Sequence, residues 1–320
     1  MAGIRALARP PEAVTDIPRV VAVVVTYNRR ALLLESLTAL GAQARRPDAV
    51  IVVDNASSDG SAEAVAAAHP DVRLVRLGHN TGGAGGFAAG LELALADGAD
   101  QVWQMDDDTV PEPGALDELL AARARYTGPP PAVVASRVVW TDGRPHPMNT
   151  PRRKPFVRHA ELRLADDIGC VPIRSASFVS VLIDADQARR LGAPVADYFL
   201  WNDDFEYTTR LLRHAPGLLC PASTVVHKTK VFGGADTDPG ERFFYEVRNK
   251  VWTLSRSHGL SPLERLLYAG ATLRRWARTF AGSSDRRTLA RGLRRGLAAG
   301  LRRGPRPNEA VLAAAGLPTD

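Results

Sequence analysis

An α/β fold, with a mostly parallel sheet and helices on both faces, is predicted by three observations on the sequence. Runs of β-branched residues that are apolar throughout recur early in the chain, as strands buried on both faces require. Segments of helical period lie between them. Each run ends in polar residues, and the carboxyl edge of such a sheet is where ligands are held.

Residues 19–26 (RVVAVVVT) read as the first strand, with Tyr27, Asn28 and Arg29 at its carboxyl end. Leu32, Leu33, Leu37 and Leu40 recur at helical spacing, and Gly41 with Pro47 stops that helix. Residues 49–53 form a second buried strand ending in Asp54 and Asn55. Ser57, Ser58, Asp59 and Gly60 then turn the chain into a helix over 62–68. A third strand covers 72–77, and Asn80-Thr81-Gly82-Gly83-Ala84-Gly85-Gly86 opens a helix over 87–95. The fourth strand is Gln101-Val102-Trp103-Gln104-Met105, running into Asp106, Asp107 and Asp108. Thr26, Asp54, Asn80 and Asp106 are thereby collected along one rim, the place for a nucleotide.

Side chains alternate across a strand, so Asp106 and Asp108 point one way and Asp107 the other if the extended geometry persists. Two carboxylates this close raise each other's pKa unless a cation is present, and hard oxygen ligands suit Mg²⁺ or Mn²⁺. The competing reading is an acidic surface turn ahead of Pro111 and Pro113, although such a turn needs no strand this apolar leading into it. Gly83-x-Gly85-x-x-Ala88 imitates a dinucleotide fingerprint, with Asp106 about twenty residues further on, as an NAD(P)-dependent oxidoreductase would have. The loop follows the third strand rather than the first, and the acids form a triplet instead of a single ribose-binding carboxylate. Glycines here read instead as close backbone approach to a diphosphate or sugar.

A helix over 115–125 ends before Gly128-Pro129-Pro130-Pro131, which reads as a hinge, and residues 132–140 form another strand. Residues 141–167 are Pro- and Arg-rich without periodicity, a long functional loop or a mobile segment. Strand character returns over 171–183, and a short helix fits 185–191. Trp201-Asn202-Asp203-Asp204-Phe205-Glu206-Tyr207 leads into a helix over 208–214. Asp203-x-x-Glu206 satisfies a capping box, so this second acidic cluster is either a helix start or a catalytic pair. The run 221–226 ends in His227 beside Lys228 and Lys230, a structural histidine or the neutral imidazole of a metal site. Residues 231–240 read as a flap, and 243–252 open a helix whose aromatics are mostly core.

The 320-residue chain is 45% hydrophobic and 24% charged, has no apolar run of membrane-spanning length, and is expected to be a soluble, untargeted cytoplasmic protein. Its two cysteines, Cys170 and Cys220, are too few for a disulfide framework or a structural zinc site. The net charge of +6 is concentrated in arginine pairs between Arg274 and Arg306, with Leu, Trp276 and Phe280 at roughly helical spacing. This stretch is an amphipathic helix on an anionic membrane face or a solvated helix packed on the domain; no nucleic-acid recognition motif accompanies it. The expected organisation is a tail over 1–18, a nucleotide half over 19–128, an acceptor and base half over 129–260, and a basic helical region over 261–320.

The motifs VVVTYNR, VVDNASSDG, NTGGAGGF, MDDD, WNDDFEY, VVHK and FFYEVRNKVW follow one another without interruption over residues 19–252. In that order they make the chain resemble the glycosyltransferase family 2 enzymes, and within them the bacterial galactofuranosyl and rhamnosyl transferases of cell-envelope synthesis. The resemblance implies a GT-A fold, a UDP- or dTDP-sugar donor, a glycan or polyprenyl-linked acceptor, Mn²⁺ or Mg²⁺, and inversion at the anomeric carbon. It places Thr26, Tyr27 and Asp54 on the nucleoside, with Asn80, Gly82, Gly83, Asp106 and Asp107 completing the donor site. It places the cation on Asp106, Asp108 and His227. Asp204 matches the general base, although the acidic pair is Asp203-Asp204 where many members have Glu-Asp. Trp201 and Glu206 fall on the acceptor side. A transferase acting on a soluble small molecule and a non-catalytic sugar-nucleotide-binding scaffold are the other readings.

Overall fold

The computed structural model describes residues 17–232 and 238–317. Most of the expected tail over 1–18 and the centre of the expected flap over 231–240 lie outside the described residues.

The chain begins as three strand–helix units and a fourth strand: β1 (Val20–Thr26), α1 (Arg30–Gly41), β2 (Ala49–Asp54), α2 (Ser61–Ala68), β3 (Arg73–Arg76), α3 (Gly82–Ala96) and β4 (Gln101–Asp106). A short β5 (Thr109–Pro111) and α4 (Ala115–Arg125) follow, then β6 (Val133–Val139), β7 (Arg152–Arg153), α5 (His159–Asp166), β8 (Val171–Ser175), β9 (Val181–Asp184) and α6 (Ala185–Leu191). The last elements are α7 (Asp203–Leu211), β10 (Gly217–His227), α8 (Phe243–Ser255), α9 (Pro262–Gly282), α10 (Arg286–Arg302) and α11 (Asn308–Ala314).

The strands form one sheet in the order β3-β2-β1-β4-β9-β6-β10-β8-β7, with β5 added on β10. β1 pairs in parallel with β2 and β4, and β2 with β3. β9 runs against both β4 and β6, so β6 and its parallel partner β10 share the direction of the first four strands. The first four strands are therefore all parallel, as expected, while the whole sheet is mixed, with β5, β8 and β9 running against the rest. The Gly-Pro segment at 128–131 does not divide it, because β6 enters the same sheet.

Both faces are covered, which is why the strands are apolar throughout. Val21, Val23 and Val25 point to the side packed by Phe87, Leu91 and Ala94 of α3 and by Tyr207 and Leu211 of α7. Val20, Ala22 and Val24 point to the side packed by Leu33, Leu37 and Leu40 of α1 and by Leu116 and Leu119 of α4.

Several expectations are corrected. α3 begins at Gly82, not at residue 87, because its glycines are helix residues that seat it on the sheet: a Cβ on Gly86 would stand 2.4 Å from Val25 Cγ1, and one on Gly90 2.3 Å from Val23 Cγ1. Residues 171–183 are two strands in different places, β8 beside β10 and β9 between β4 and β6. The supposedly aperiodic 141–167 contains β7 and α5, both too short for their period to show. β10 starts at Gly217, and Pro221 sits within a register shift between Cys220 and Thr224, the kind of irregularity that admits proline to a sheet.

Trp276 and Phe280 pack edge-on against Phe243 of α8, so the aromatic face expected on the basic tail is internal. α10 lies on α8 through Gly292, Gly296 and Gly300; a Cβ on Gly296 would meet Val247 Cβ at 2.7 Å. Among the described residues, no helix is long and apolar enough to cross a membrane.

Candidate active site

The parallel register puts Thr26 beside Asp54, and Val25 beside Asp106, at the carboxyl edge. The chain turns at Asp107 and Asp108 and returns as β5, where Thr109 faces His227 at the end of β10. The Lys228 amide donates to the Asp108 carbonyl at 2.8 Å. This one antiparallel pairing joins residues more than a hundred positions apart. It brings a ligand atom from each of Asp106, Asp108 and His227 to within 4.8 Å of one another.

Asp108 is 2% exposed and Asp107 5%, which removes the surface-turn reading. Asp107 turns away from the cluster: its Oδ2 accepts from Thr26 Oγ1 at 2.8 Å and from the Tyr27 amide at 3.3 Å. Burial pushes its carboxyl up to about 6, with Arg29 opposing. Asp106 is raised well above its ordinary value, by burial and then by Asp108 and Asp107, with Arg29 opposing. Asp108 goes the other way. Burial would raise it, but the hydrogen bond and charge of His227 together with Arg29 hold it below the ordinary carboxylate value.

His227 Nε2 stands 2.9 Å from Asp108 Oδ1, while Nδ1 stands 2.9 Å from Asn149 Oδ1. An amide oxygen only accepts, so Nδ1 carries the proton and Nε2 is the atom turned to the acids. Two carboxylate oxygens and one imidazole nitrogen, half-buried to buried and with the Arg29 guanidinium against Asp108, suit a divalent cation such as Mn²⁺ or Mg²⁺.

The second acidic cluster is aimed by a strained segment. Phe199, Trp201 and Asn202 all have positive φ (63°, 64° and 66°), which non-glycine residues hold only when their surroundings impose it. Asn249, fully buried on α8, imposes it: its Nδ2 lies 2.8–2.9 Å from the carbonyls of Tyr198, Leu200 and Trp201. Arg248 Nη2 adds bonds to the carbonyls of Asp197 and Tyr198. Gly82 takes the opposite side, where a Cβ would lie 1.9 Å from the Phe199 carbonyl oxygen.

α7 starts at Asp203 with Asn202 as its N-cap and no side-chain capping bond, so the capping-box reading is not realised. Burial, then Asp204 and Glu206, push Asp203 up to about 8, and Asp203 in turn helps raise Asp106. Asp203 is thus near enough to Asp106 for its charge to bear on that carboxyl. Asp204 is also raised by burial, while the Phe205 amide, donating to Oδ1 at 2.6 Å, and then Lys250 and Arg152 pull it back towards ionisation.

Other expected residues are placed as follows. Tyr27 is 46% exposed above the rim. Asp54 is fully buried; Oδ1 accepts from the Ser57 amide, while Oδ2 has no hydrogen-bond partner and Arg76 Nε is 3.7 Å away. Asn80 Oδ1 caps the Gly82 amide at 2.7 Å. The Cβ direction of Gly83 is open apart from Phe87 at 4.0 Å, whereas that of Gly82 is filled by the chain itself. Trp201 is half-buried under the Arg242 guanidinium, 5.3 Å from the ring centroid. Glu206 is 3% exposed and engaged by Arg210 and by Ser257 Oγ, so its carboxylate is taken up within the fold instead of facing an acceptor.

Arg29, Asn149 and Asn249 were not singled out from sequence. Arg29 and Asn249 do lie inside recognised motifs, VVVTYNR and FFYEVRNKVW; Asn149 lies in the stretch without periodicity and gave no signal.

Residues 21–182 match the sequence profile described as Glycosyl transferase family 2. The chain belongs to glycosyltransferase family 2. It is 33% identical over 255 residues to galactofuranosyltransferase GlfT1 of Mycobacterium tuberculosis, an alignment covering 74% of this chain and 82% of that one. Among solved structures, S. aureus TarS 1–349 superposes with a TM-score of 0.61 at 15% identity, over 93% of this chain and 83% of that one. The mannosyltransferase PcManGT from Pyrobaculum calidifontis, in complex with GDP-Man and Mn²⁺, gives 0.51 at 22% identity, over 93% and 86%. The fold of this family 2 chain is thus that of the GT-A glycosyltransferases, and its Asp-Asp-His cluster stands on the ligand edge of that fold.

Proposed function

We propose that this family 2 chain transfers a sugar, with inversion, from UDP-galactofuranose or dTDP-rhamnose to a lipid-linked or cell-envelope glycan acceptor. The observation that carries the reading is the Asp106, Asp108 and His227 cluster, a metal-ligand set at the carboxyl edge, with the acidic pair at the start of α7 near enough for Asp203 to bear on Asp106. UDP-galactofuranose ranks first, because a relative matched over 82% of its length is a galactofuranosyltransferase.

Residues 19–128 hold the donor in this reading. Asp54 Oδ2, buried without a hydrogen-bond partner, is the acceptor available to the nucleoside, with Thr26 and Tyr27 beside it. The open side of Gly83 and the amides at the start of α3 face the diphosphate. Asp106, Asp108 and His227 would hold a divalent cation, which would supply positive charge for the departing diphosphate. Residues 129–260 supply the acceptor side. Asp204 takes the proton of the attacking hydroxyl as its oxygen bonds to the anomeric carbon, and the diphosphate leaves with the electron pair of the broken bond. Asp204 is assigned this role over Asp203 because the Phe205 amide, Lys250 and Arg152 all favour its ionised form, whereas burial and the charges of Asp204 and Glu206 push Asp203 up to about 8.

The acceptor is assigned to a membrane on the evidence of α9. Leu263, Leu266, Leu267 and Leu273 are 57–71% exposed at helical spacing, and Arg274 and Arg278 continue the same face. A stripe of leucines leading into arginines fits an anionic bilayer surface. Flotation with phosphatidylglycerol vesicles is expected to carry the chain, and Leu266→Glu with Leu267→Glu to release it; flotation of that double variant would remove α9 from the contact.

The deciding experiment is a panel of nucleotide sugars with Mn²⁺, read by thermal stabilisation and slow donor hydrolysis. One donor should stand out, and product stereochemistry by NMR should show inversion. No response to any donor would end the reading.

A further inference from the structure

Cys170 and Cys220 are both free thiols, 5% and 2% exposed. The antiparallel register of β8 on β10 sets Pro172 against Leu218 and Val171 against Leu219, and one further step along it sets Cys170 opposite Cys220. Residues directly opposite each other in such a pair share a face of the sheet. Cys170 and Cys220 do: both lie with Leu218 in the core packed by α1 and α4. Opposite residues have Cα atoms about 4.5–5.5 Å apart, inside the roughly 4.4–6.8 Å that a disulfide spans. The thiols also meet. Cys170 donates to the Cys220 sulfur and draws that thiol down to about 7 against its burial, and Cys220 Sγ lies 3.6 Å from the Glu118 carbonyl of α4.

The sheet is thinly joined here. β8 meets β10 through two residue pairs, and Pro172 in one of them has no amide hydrogen to give. The ladder of β10 with β6 breaks between Cys220 and Thr224. Gly169, immediately before Cys170, and Ala222, within that break, are exposed, so the buried thiols lie just under the surface. β8 also carries Arg174, whose Nη1 holds the Thr209 carbonyl of α7 at 2.7 Å. We propose that Cys170 and Cys220 are an oxidative modification site, a thiol pair that a peroxide closes into a cross-strand disulfide joining β8 to β10. The Cys220 sulfur attacks one peroxide oxygen, the O–O bond breaks, and a sulfenic acid and water result. The Cys170 sulfur then displaces the sulfenic oxygen, which leaves as a second water with the thiol proton as the S–S bond forms. The two thiols lose two electrons and two protons, and the peroxide is reduced to two waters. The closed loop contains α7 and the Asp203-Asp204 pair.

The test exposes the full folded chain to a small excess of hydrogen peroxide, then denatures it with an alkylating agent and measures the intact mass. Both thiols should be lost together, with the mass lower by two hydrogens and a linked peptide pair that dithiothreitol separates. The thermal midpoint should rise by roughly 5 °C, as closure of a long loop does, and dithiothreitol should reverse it. Cys170→Ser should stop at a Cys220 sulfenic acid that dimedone captures, with no rise; the wild-type readouts stand even if that variant does not fold. Two thiols still open to alkylation, a link between chains instead of within one, sulfinic acid at Cys220 without the bridge, or an unchanged midpoint in the bridged chain would each overturn the proposal. No readout involves a sugar donor, so failure here is distinct from failure of the glycosyltransferase reading.

Discussion

At the scale of residues, the site depends on a few side chains held by others. Asn149 fixes the His227 tautomer through a 2.9 Å contact at Nδ1, and partners of this kind are typically worth about 10–100-fold in metal affinity. Asn149→Ala is therefore expected to weaken Mn²⁺ binding by roughly that factor while the fold survives; unchanged affinity in a titration would show that the imidazole needs no such support. Asp204→Asn should lower transfer by about three orders of magnitude or more, as removal of a general base does, and leave donor affinity within about threefold. An equal loss of donor affinity would mean that the carboxylate serves the structure instead. Both asparagines, Asn149 and Asn249, are short amides joined to distant backbone or side chains. No pattern along the chain announces such partners.

At the scale of elements, α3 and the segment before α7 are built against each other. The glycines of NTGGAGGF read from sequence as room for a diphosphate, and one of them, Gly83, does face open space. Gly82, Gly86 and Gly90 instead let the helix approach Phe199, Val25 and Val23. Gly86→Ala puts a methyl group 2.4 Å from Val25 Cγ1 and 2.9 Å from Asn55 Nδ2. It is expected to cost about 1–3 kcal/mol of stability, the usual penalty of overpacking. Denaturant unfolding that showed no change would mean that α3 can shift away from β1 freely. Composition announced the glycines, but their division between packing and ligand depends on which neighbour each faces.

At the scale of the whole molecule, buried charge at the site sets the pH dependence. Lys250 is lowered from 10.5 to about 8 by burial, with Arg275 and Arg152 adding to it against Glu246 and Asp204. Its folded pKa lies below its unfolded one, so the folded protein is penalised wherever the lysine is charged when unfolded. That penalty is complete below about pH 8 and vanishes above the ordinary lysine pKa. Lys250→Met should therefore raise the thermal midpoint at pH 7, by at most about 3 kcal/mol of stability. The gain should shrink as pH rises from 8 to 10.5. A midpoint that falls at pH 7 would show that the ammonium is stabilised by the fold.

The alternation of buried strands and helices was legible in the sequence because a strand covered on both faces must be apolar throughout, and β1, β2 and β4 are. The acids at their ends were legible for the same reason, since polarity breaks off each run abruptly. What only the tertiary structure decided was the meeting of parts remote in sequence: His227 with Asp108 through the pairing of β5 and β10, Asn249 with the backbone at 198–201, and Lys250 with Arg152 over Phe205. Local periodicity reports which face of an element is buried. It carries no information on which distant element does the burying, and every feature that assembles this site is a contact of that second kind.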